Sequence, residues 1–302
     1  MTLRLGTRRS ALAMAQSGGV AATILGTTGR DVELVEITTR GDVDQGAITQ
    51  IGGTGVFVTA LRDALYAGTI DLAVHSLKDL PTAAADGLVI AAVPPREDPR
   101  DALCHPGGLT LGELPQGARI GTGSPRRVAQ LSALGLGLEL VPIRGNVDTR
   151  LKKAADGVVD AVVLARAGLS RLDRLDAISE VLDPIQCLPA PGQGALAIEC
   201  RAEDTELLGL LRSLDDVDSR ACVLAERSLL AALEAGCTAP VGALADVADD
   251  ELYLRAVVAA VDGSDAMRQS LTGPVDEPEL LGRRLAEILL EDGAAELMGV
   301  SR

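Results

Sequence analysis

Short apolar runs alternate with amphipathic stretches, and this rhythm restricts the fold more than any other feature of the sequence. Residues 3–6, 32–37, 71–75 and 88–93 are apolar runs of strand length, whereas 11–25 and 57–67 repeat their apolar residues at helical spacing. Strands separated by helices predict an α/β fold built on a largely parallel sheet. A charged, proline-rich break at Pro94-Pro-Arg-Glu-Asp-Pro-Arg-Asp101 interrupts the rhythm and reads as a linker. The pattern then restarts, with strands over 119–121, 138–143 and 161–164 and helices over 125–134 and 146–155.

A second break, Leu188-Pro-Ala-Pro-Gly-Gln-Gly-Ala195, is followed by one more apolar strand at 196–200. Two crossings of this kind predict that the chain returns to its first domain. A third region holds a long helix over 216–233, strands near 242–244 and 252–261, and a helix over 278–290. The expected domains are therefore 1–95 with 195–212, then 96–194, then 213–302, the last a smaller α+β domain.

Charge narrows the function. The net charge is −15, which argues against nucleic acid as a partner. The final ninety residues, from Ser213, hold 18 acids against 7 bases, whereas 119–150 holds 5 arginines and only 2 acids. An acidic protein with a local arginine surplus has a reason to hold anions there. With 1 Phe, 2 Tyr and no Trp, platforms for stacking single-stranded bases are nearly absent. Two histidines, His75 and His105, cannot supply a conventional zinc cluster, so no metal is expected. Five cysteines without a CxxC pair fit a reducing compartment. The N-terminal residues lack the apolar segment of a secretory leader, and no run is long enough to span a membrane. A cytoplasmic monomer is the expectation.

The arginines fall where open α/β sheets bind ligands, past the carboxyl ends of strands. In Ile120-Gly-Thr-Gly-Ser124-Pro-Arg-Arg127 a strand ends in small residues, Ser124 is placed to cap and Pro125 suits the first helical position. Two arginines in a first helical turn oppose the helix dipole and call for an anion, either a ligand or a neighbouring acidic side chain. Arg8 and Arg144 follow strands in the same way, and Arg150 lies one turn past Asn146. Asp79, in His75-Ser-Leu-Lys-Asp-Leu-Pro81, follows another strand and is the best candidate for acid/base work. Cys237 follows a long helix and precedes a loop ending at Pro240, which puts a thiol where chemistry tends to be carried. The other four cysteines sit in apolar runs and read as core residues. Gly192-Gln-Gly-Ala-Leu-Ala197 has the letters of a dinucleotide fingerprint, but it precedes a strand instead of opening a helix.

Together these segments resemble the porphobilinogen deaminase (hydroxymethylbilane synthase) family. Matching stretches run in family order: Gly6-Thr-Arg-Arg-Ser10, Thr39-Arg-Gly-Asp42, Gly52-Gly-Thr-Gly-Val-Phe57, His75–Pro81, Arg96–Asp101, Gly121–Arg127, Arg144-Gly-Asn146, Ala167-Gly-Leu169, Leu188–Ala195 and Glu234-Ala-Gly-Cys237. The resemblance implies two domains like the halves of a periplasmic binding protein, a cleft between them, and a third domain whose cysteine carries a dipyrromethane cofactor. On that reading Cys237 is the covalent attachment point, and Lys78, Ser124, Arg126, Arg127 and Arg150 hold the cofactor. Asp79 is the catalytic carboxyl, while Arg8, Ser10, Ser76, Arg144, Gly145, Asn146, Arg171 and Gln193 bind substrate, Gln193 from the hinge. The implied reaction deaminates porphobilinogen and joins four molecules head to tail into hydroxymethylbilane. The chain departs from the family at Thr54 and Thr59, where lysines are common, and at Gly123, where a serine is. At a helix C-terminus the dipole raises a thiol's pKa, which suits a residue alkylated once better than a nucleophile that cycles. The rival reading is a non-enzymatic protein that captures carboxylates in a two-domain cleft, for which neither the third domain nor Cys237 is needed.

Overall fold

The computed structural model describes residues 2–37, 55–235, 239–260 and 262–299. Cys237, Thr54 and the Thr39–Asp42 segment lie outside them. The chain divides into two compact units, residues 1–96 with 195–220 and residues 97–194 with 221–302.

The first unit is a sheet in the order β2-β1-β3-β10-β4. Its strands are β1 (Leu3–Thr7), β2 (Val32–Glu36), β3 (Leu72–Ser76), β4 (Leu88–Ala92) and β10 (Leu196–Arg201). Side chains alternate between the two faces, as the pleat requires. Leu5, Leu72, Val74 and Ile198 pack with Val20 and Ile24 of α1 (Ala11–Thr28). Ala73 packs on the opposite side with Leu61 and Leu65 of α2 (Gly55–Tyr66). β1 pairs in parallel with β2 and β3, but β10 runs antiparallel to both β3 and β4.

The second unit contains two sheets. One, in the order β7-β6-β8-β5-β9, comprises β5 (Asp101–Cys104), β6 (Arg119–Gly121), β7 (Glu139–Val141), β8 (Ala161–Ala165) and β9 (Glu180–Val181). Here too the βαβ portion, β6, β7 and β8, is parallel and β5 is antiparallel to its neighbours. Each sheet is therefore largely parallel, as expected, with four strands running one way and a single strand, β10 or β5, reversed. The reason is connectivity: β5 and β10 each enter directly after the chain changes unit, free of the crossover helix that enforces parallel pairing. β5 does correct an expectation, because the proline-rich break ends at Asp101 and that residue opens a fully buried strand.

The C-terminal part of this unit is a three-stranded antiparallel sheet of β11 (Val241–Ala248), β12 (Glu251–Ala259) and β13 (Ala266–Pro274). Ala243, Ala245, Leu252, Leu254 and Ala256 pack with Leu229 of the helix Val217–Ala232 and with Leu285 and Leu289 of the helix Pro278–Glu291. The two α/β domains and the smaller C-terminal α+β domain follow the expected fold class. The sheet's other face meets the preceding α/β domain, where Leu188 packs with Leu244 and Val257. Among the described residues no helix is long and apolar enough to cross a membrane.

The two C-terminal-domain helices approach at Gly282, where a Cβ would lie 2.3 Å from the Ala225 carbonyl oxygen and 2.8 Å from the Leu229 nitrogen. Both are backbone atoms and cannot swing aside. Gly282→Ala is therefore expected to destabilise the protein by about 2 kcal/mol despite alanine's better helix propensity. Urea unfolding followed by circular dichroism checks it, and an unchanged or raised midpoint would contradict the close approach.

Candidate active site

Asp79 and Lys78 occupy a single 3-10 turn, Leu77–Asp79, at the end of β3. Two interactions fix this turn. Buried Leu77 anchors it, and its N–H donates to the Ala195 carbonyl at 3.1 Å, continuing the β3–β10 pairing of Ser76 with Leu196. Beneath it, His75 Nε2 lies 3.2 Å from Glu199 Oε2, and Arg62 donates to the same carboxylate at 2.9 Å. Burial pushes Glu199 up, but His75 and Arg62 outweigh it and hold the carboxylate below its ordinary range. The turn that carries Asp79 thus stands on a buried, charge-compensated network. Asp79 itself is half-buried.

The neighbouring hydroxyls are committed locally. Ser10 caps α1, accepting from the Ala13 N–H at 3.2 Å, and Ser76 Oγ accepts from Gln16 Nε2 at 2.9 Å. Arg8 directly follows β1 and is half-buried. Thr59 is exposed on α2.

In the second unit Arg126 and Arg127 open the helix Pro125–Ala133 but do not project into solvent; they are 4% and 5% exposed. The anion that their position demanded includes a side chain of the chain itself, one of the two options open from sequence. Arg126 Nη2 donates to Asp101 Oδ2 at 2.8 Å and Arg127 Nη2 to Asp101 Oδ1 at 2.7 Å. Burial alone would raise the Asp101 pKa, yet the charges of Arg126 and Arg127 hold it far below the carboxylate range. Ser124 precedes Pro125 as expected but makes no capping hydrogen bond from its side chain; its own N–H donates to Thr122 Oγ1 at 3.3 Å. Gly123 is a glycine for a steric reason, since a Cβ there would sit 2.8 Å from the Ile143 carbonyl oxygen.

Arg144, Gly145 and Asn146 form the exposed loop before the helix Val147–Ala155, which Asn146 caps by accepting from the Thr149 N–H at 2.8 Å. Gly145 sits at φ 121°, open only to glycine without strain. Its carbonyl accepts from Arg150 Nε at 2.8 Å. Desolvation, and next the charge of Arg127, lower the Arg150 pKa. Arg126, Arg127 and Arg150 are thus three cations with Asp101 as the one carboxylate paired to them among the described residues. Desolvation likewise lowers the pKa of Arg171, offset in part by Glu97, and its Nη2 donates to the Gly194 carbonyl at 2.6 Å. Gln193, 1% exposed, donates from Nε2 to Pro99 O at 2.7 Å and to Asp101 Oδ1 at 2.8 Å. This surplus of desolvated positive charge is what a group bearing several carboxylates needs, so these residues fit the expected dipyrromethane.

Cys237 lies outside the described residues, but its flanks do not. The helix Val217–Ala232 ends with Glu234 at φ 51° and the Ala235 N–H bonded to Leu230 O at 3.3 Å. Ala235 and Ala239 both pack against the C-terminal core.

A model of the "porphobilinogen deaminase, dipyromethane cofactor binding domain" matches residues 3–209, and one of the "porphobilinogen deaminase, C-terminal domain" matches residues 220–291. The chain belongs to the porphobilinogen deaminase family. It is 58% identical to the porphobilinogen deaminase of Nocardia farcinica, over 98% of this chain and 88% of that protein. It is 60% identical to porphobilinogen deaminase 1 of Streptomyces avermitilis, over 98% of this chain and 97% of that one. A periplasmic substrate-binding protein from Coxiella burnetii superposes over 70% of this chain and 91% of its own, with 13% identity and a TM-score of 0.44.

The remaining thiols are set against reactivity. Burial pushes Cys104 up to about 12, and Cys187 and Cys200 each to about 11. Iodoacetamide at pH 8 is therefore expected to leave these three unlabelled in the native protein and to label them after denaturation. Peptide mapping by mass spectrometry reads this directly, and native labelling at the denatured rate would contradict it.

Proposed function

We infer that this chain is the transferase that deaminates porphobilinogen and joins four molecules head to tail into hydroxymethylbilane, on a dipyrromethane group held through Cys237. Membership of the family over nearly the whole chain carries the reading. When bound, dipyrromethane supplies the pyrrole α-carbon to which substrate is first joined. Each addition breaks the aminomethyl C–N bond of one porphobilinogen with loss of ammonia, forms one C–C bond and releases the α-carbon's proton. Positive charge develops on the pyrrole nitrogen along this course. A half-buried carboxylate is suited to accept a pyrrole N–H and to stabilise that charge. Asp79 has this role in our reading.

Arg126, Arg127 and Arg150, with Lys78 and Ser124, hold the cofactor's acetate and propionate groups. Arg8, Arg144 and Arg171, with Ser10, Ser76, Gly145, Asn146 and Gln193, take those of the substrate. Guanidinium forks suit this task because each can grip a carboxylate with two parallel N–H groups. In Arg144-Gly-Asn146 the backbone also contributes in this reading, since Gly145 has no Cβ to hold a ligand away from the chain. The reading extends to a monomer working in the cytoplasm, to which the buried, disulfide-free thiols of Cys104, Cys187 and Cys200 lend support.

Two measurements test this. The intact denatured mass of the purified protein should exceed the sequence mass by one dipyrrole unit, and Cys237→Ala should lack the increment. A wild-type protein that stays unmodified after incubation with porphobilinogen would instead favour simple carboxylate capture. Asp79→Asn should keep the increment yet lose turnover by about a thousandfold, the scale of a lost acid/base group. Near-normal product formation in a quenched assay would remove Asp79 from that role.

A further inference from the structure

We propose that Asp101 is a positioning residue for the bound dipyrromethane: a buried carboxylate that orients Arg126 and Arg127 and ties both to the hinge residue Gln193. The proposal rests on the functional reading above and concerns a residue that itself touches no ligand. Asp101 is 0% exposed. All its polar neighbours are donors: Arg126 Nη2 at 2.8 Å and the Cys187 thiol at 3.5 Å on Oδ2, with Arg127 Nη2 at 2.7 Å and Gln193 Nε2 at 2.8 Å on Oδ1.

The geometry divides each guanidinium into a fixed part and an unused one. Arg126 also donates from Nη1 to the Leu188 carbonyl at 2.5 Å, and Arg127 from Nη1 to the Val163 carbonyl at 2.8 Å. Each Nη of the two arginines thus bonds the protein through at least one of its two N–H groups, while both Nε groups are buried without a partner among the described residues. A buried donor without an acceptor is destabilising, and a bound carboxylate relieves that cost. Asp101 determines which way those Nε–H edges face.

Its second link is to the chain crossing. Gln193 joins Asp101 to Pro99, the Gly192 N–H donates to buried Glu226 at 2.6 Å, and Gly194 accepts from Arg171. A Cβ on Gly194 would lie 2.3 Å from the Glu97 carbonyl oxygen. The loop has little freedom to shift, so the arginine pair is referenced to a fixed point. An amide at position 101 could not do this, because its NH2 would face one of these donors.

Asp101→Asn tests the proposal, with the Cys237 adduct measured by intact mass after incubation with porphobilinogen. Wild type must carry the increment; its absence there would sink the functional reading, separately from the role of Asp101. Asp101→Asn is expected to lower the ratio of modified to unmodified chain at least about tenfold, as loss of outer-shell partners does. Asp160→Asn removes a partly exposed pair with Arg119 in the same domain and should keep the wild-type ratio. Charge neutralisation is separated from positioning by Asp101→Asn combined with Cys187→Asp. Cys187 Sγ lies 3.4 Å from Arg126 Nη1, so the new carboxylate returns the charge on the Arg126 side only. This double variant also serves if the single one does not fold. Adduct that stays at least about tenfold low in it, with thermal stability regained, supports positioning. A wild-type ratio in either variant, or an equal fall in Asp160→Asn, would overturn it.

Discussion

A carboxylate withdrawn from water stays ionised only if fixed positive charge and hydrogen bonds replace the water it has lost. Asp101 meets that condition with two guanidiniums and an amide, and much of the second unit is arranged to make it possible. β5 begins at Asp101, so its first side chain faces the start of the helix Pro125–Ala133 while Ala102, Leu103 and Cys104 continue into the core. Deleting one member of such a cluster leaves an uncompensated buried charge, typically about 3–5 kcal/mol. The arginines gain from it too. Their place at a helix N-terminus, unfavourable for the helix alone, is made tolerable by a partner that also fixes their direction.

The Leu188–Gly194 loop shows how local backbone requirements build on that cluster. It is reached from three sides within the second unit: Gln193 binds Asp101, Arg171 binds the Gly194 carbonyl, and Glu226 accepts from the N–H groups of Gly192 and Ala245. Glu226 is fully buried on the helix Val217–Ala232 and so joins the loop to β11 of the C-terminal domain. Gly242 adds a backbone approach, with its Cβ position 2.8 Å from the Leu188 carbonyl oxygen. Polar bonds of this density suit a stretch whose glycines and prolines would otherwise leave it disordered.

Elements with strong periodicity could be read directly. The helices Val217–Ala232 and Pro278–Glu291 were expected at 216–233 and 278–290, and β1, β3, β6 and β10 lie within a residue of expectation. Short strands were less visible. Glu180–Val181 has too few residues to show alternation, and Asp101–Cys104 was hidden because an acid after a proline-rich run reads as a linker. β13 was missed because none of its residues is fully buried and Met267 and Leu271 are separated by the polar run Arg268-Gln-Ser270. At the site, charge arithmetic at residues 126 and 127 required an anion but could not say which. Only the three-dimensional pairing singles out Asp101 from the chain's 43 acids. The capping role of Asn146 shows the converse: a residue assigned to substrate also has a plain structural task.

Excess charge distinguishes a site from a scaffold here. The pairs Arg9–Glu36 and Arg119–Asp160 each place one carboxylate against one arginine, with distances of 3.0 and 2.8 Å. Such pairs are self-contained, leave nothing for a ligand, and at partial exposure contribute little stability. The Asp101 cluster differs in stoichiometry: one carboxylate serves Arg126 and Arg127, and Arg150 stands close enough to Arg127 for its charge to be felt. Desolvated cations repel one another, and a fold keeps them together only when something else holds each in place. Here carbonyls do so, from Leu188, Val163 and Gly145. Carbonyls orient a guanidinium without neutralising it, so the positive potential survives for a polycarboxylate to use.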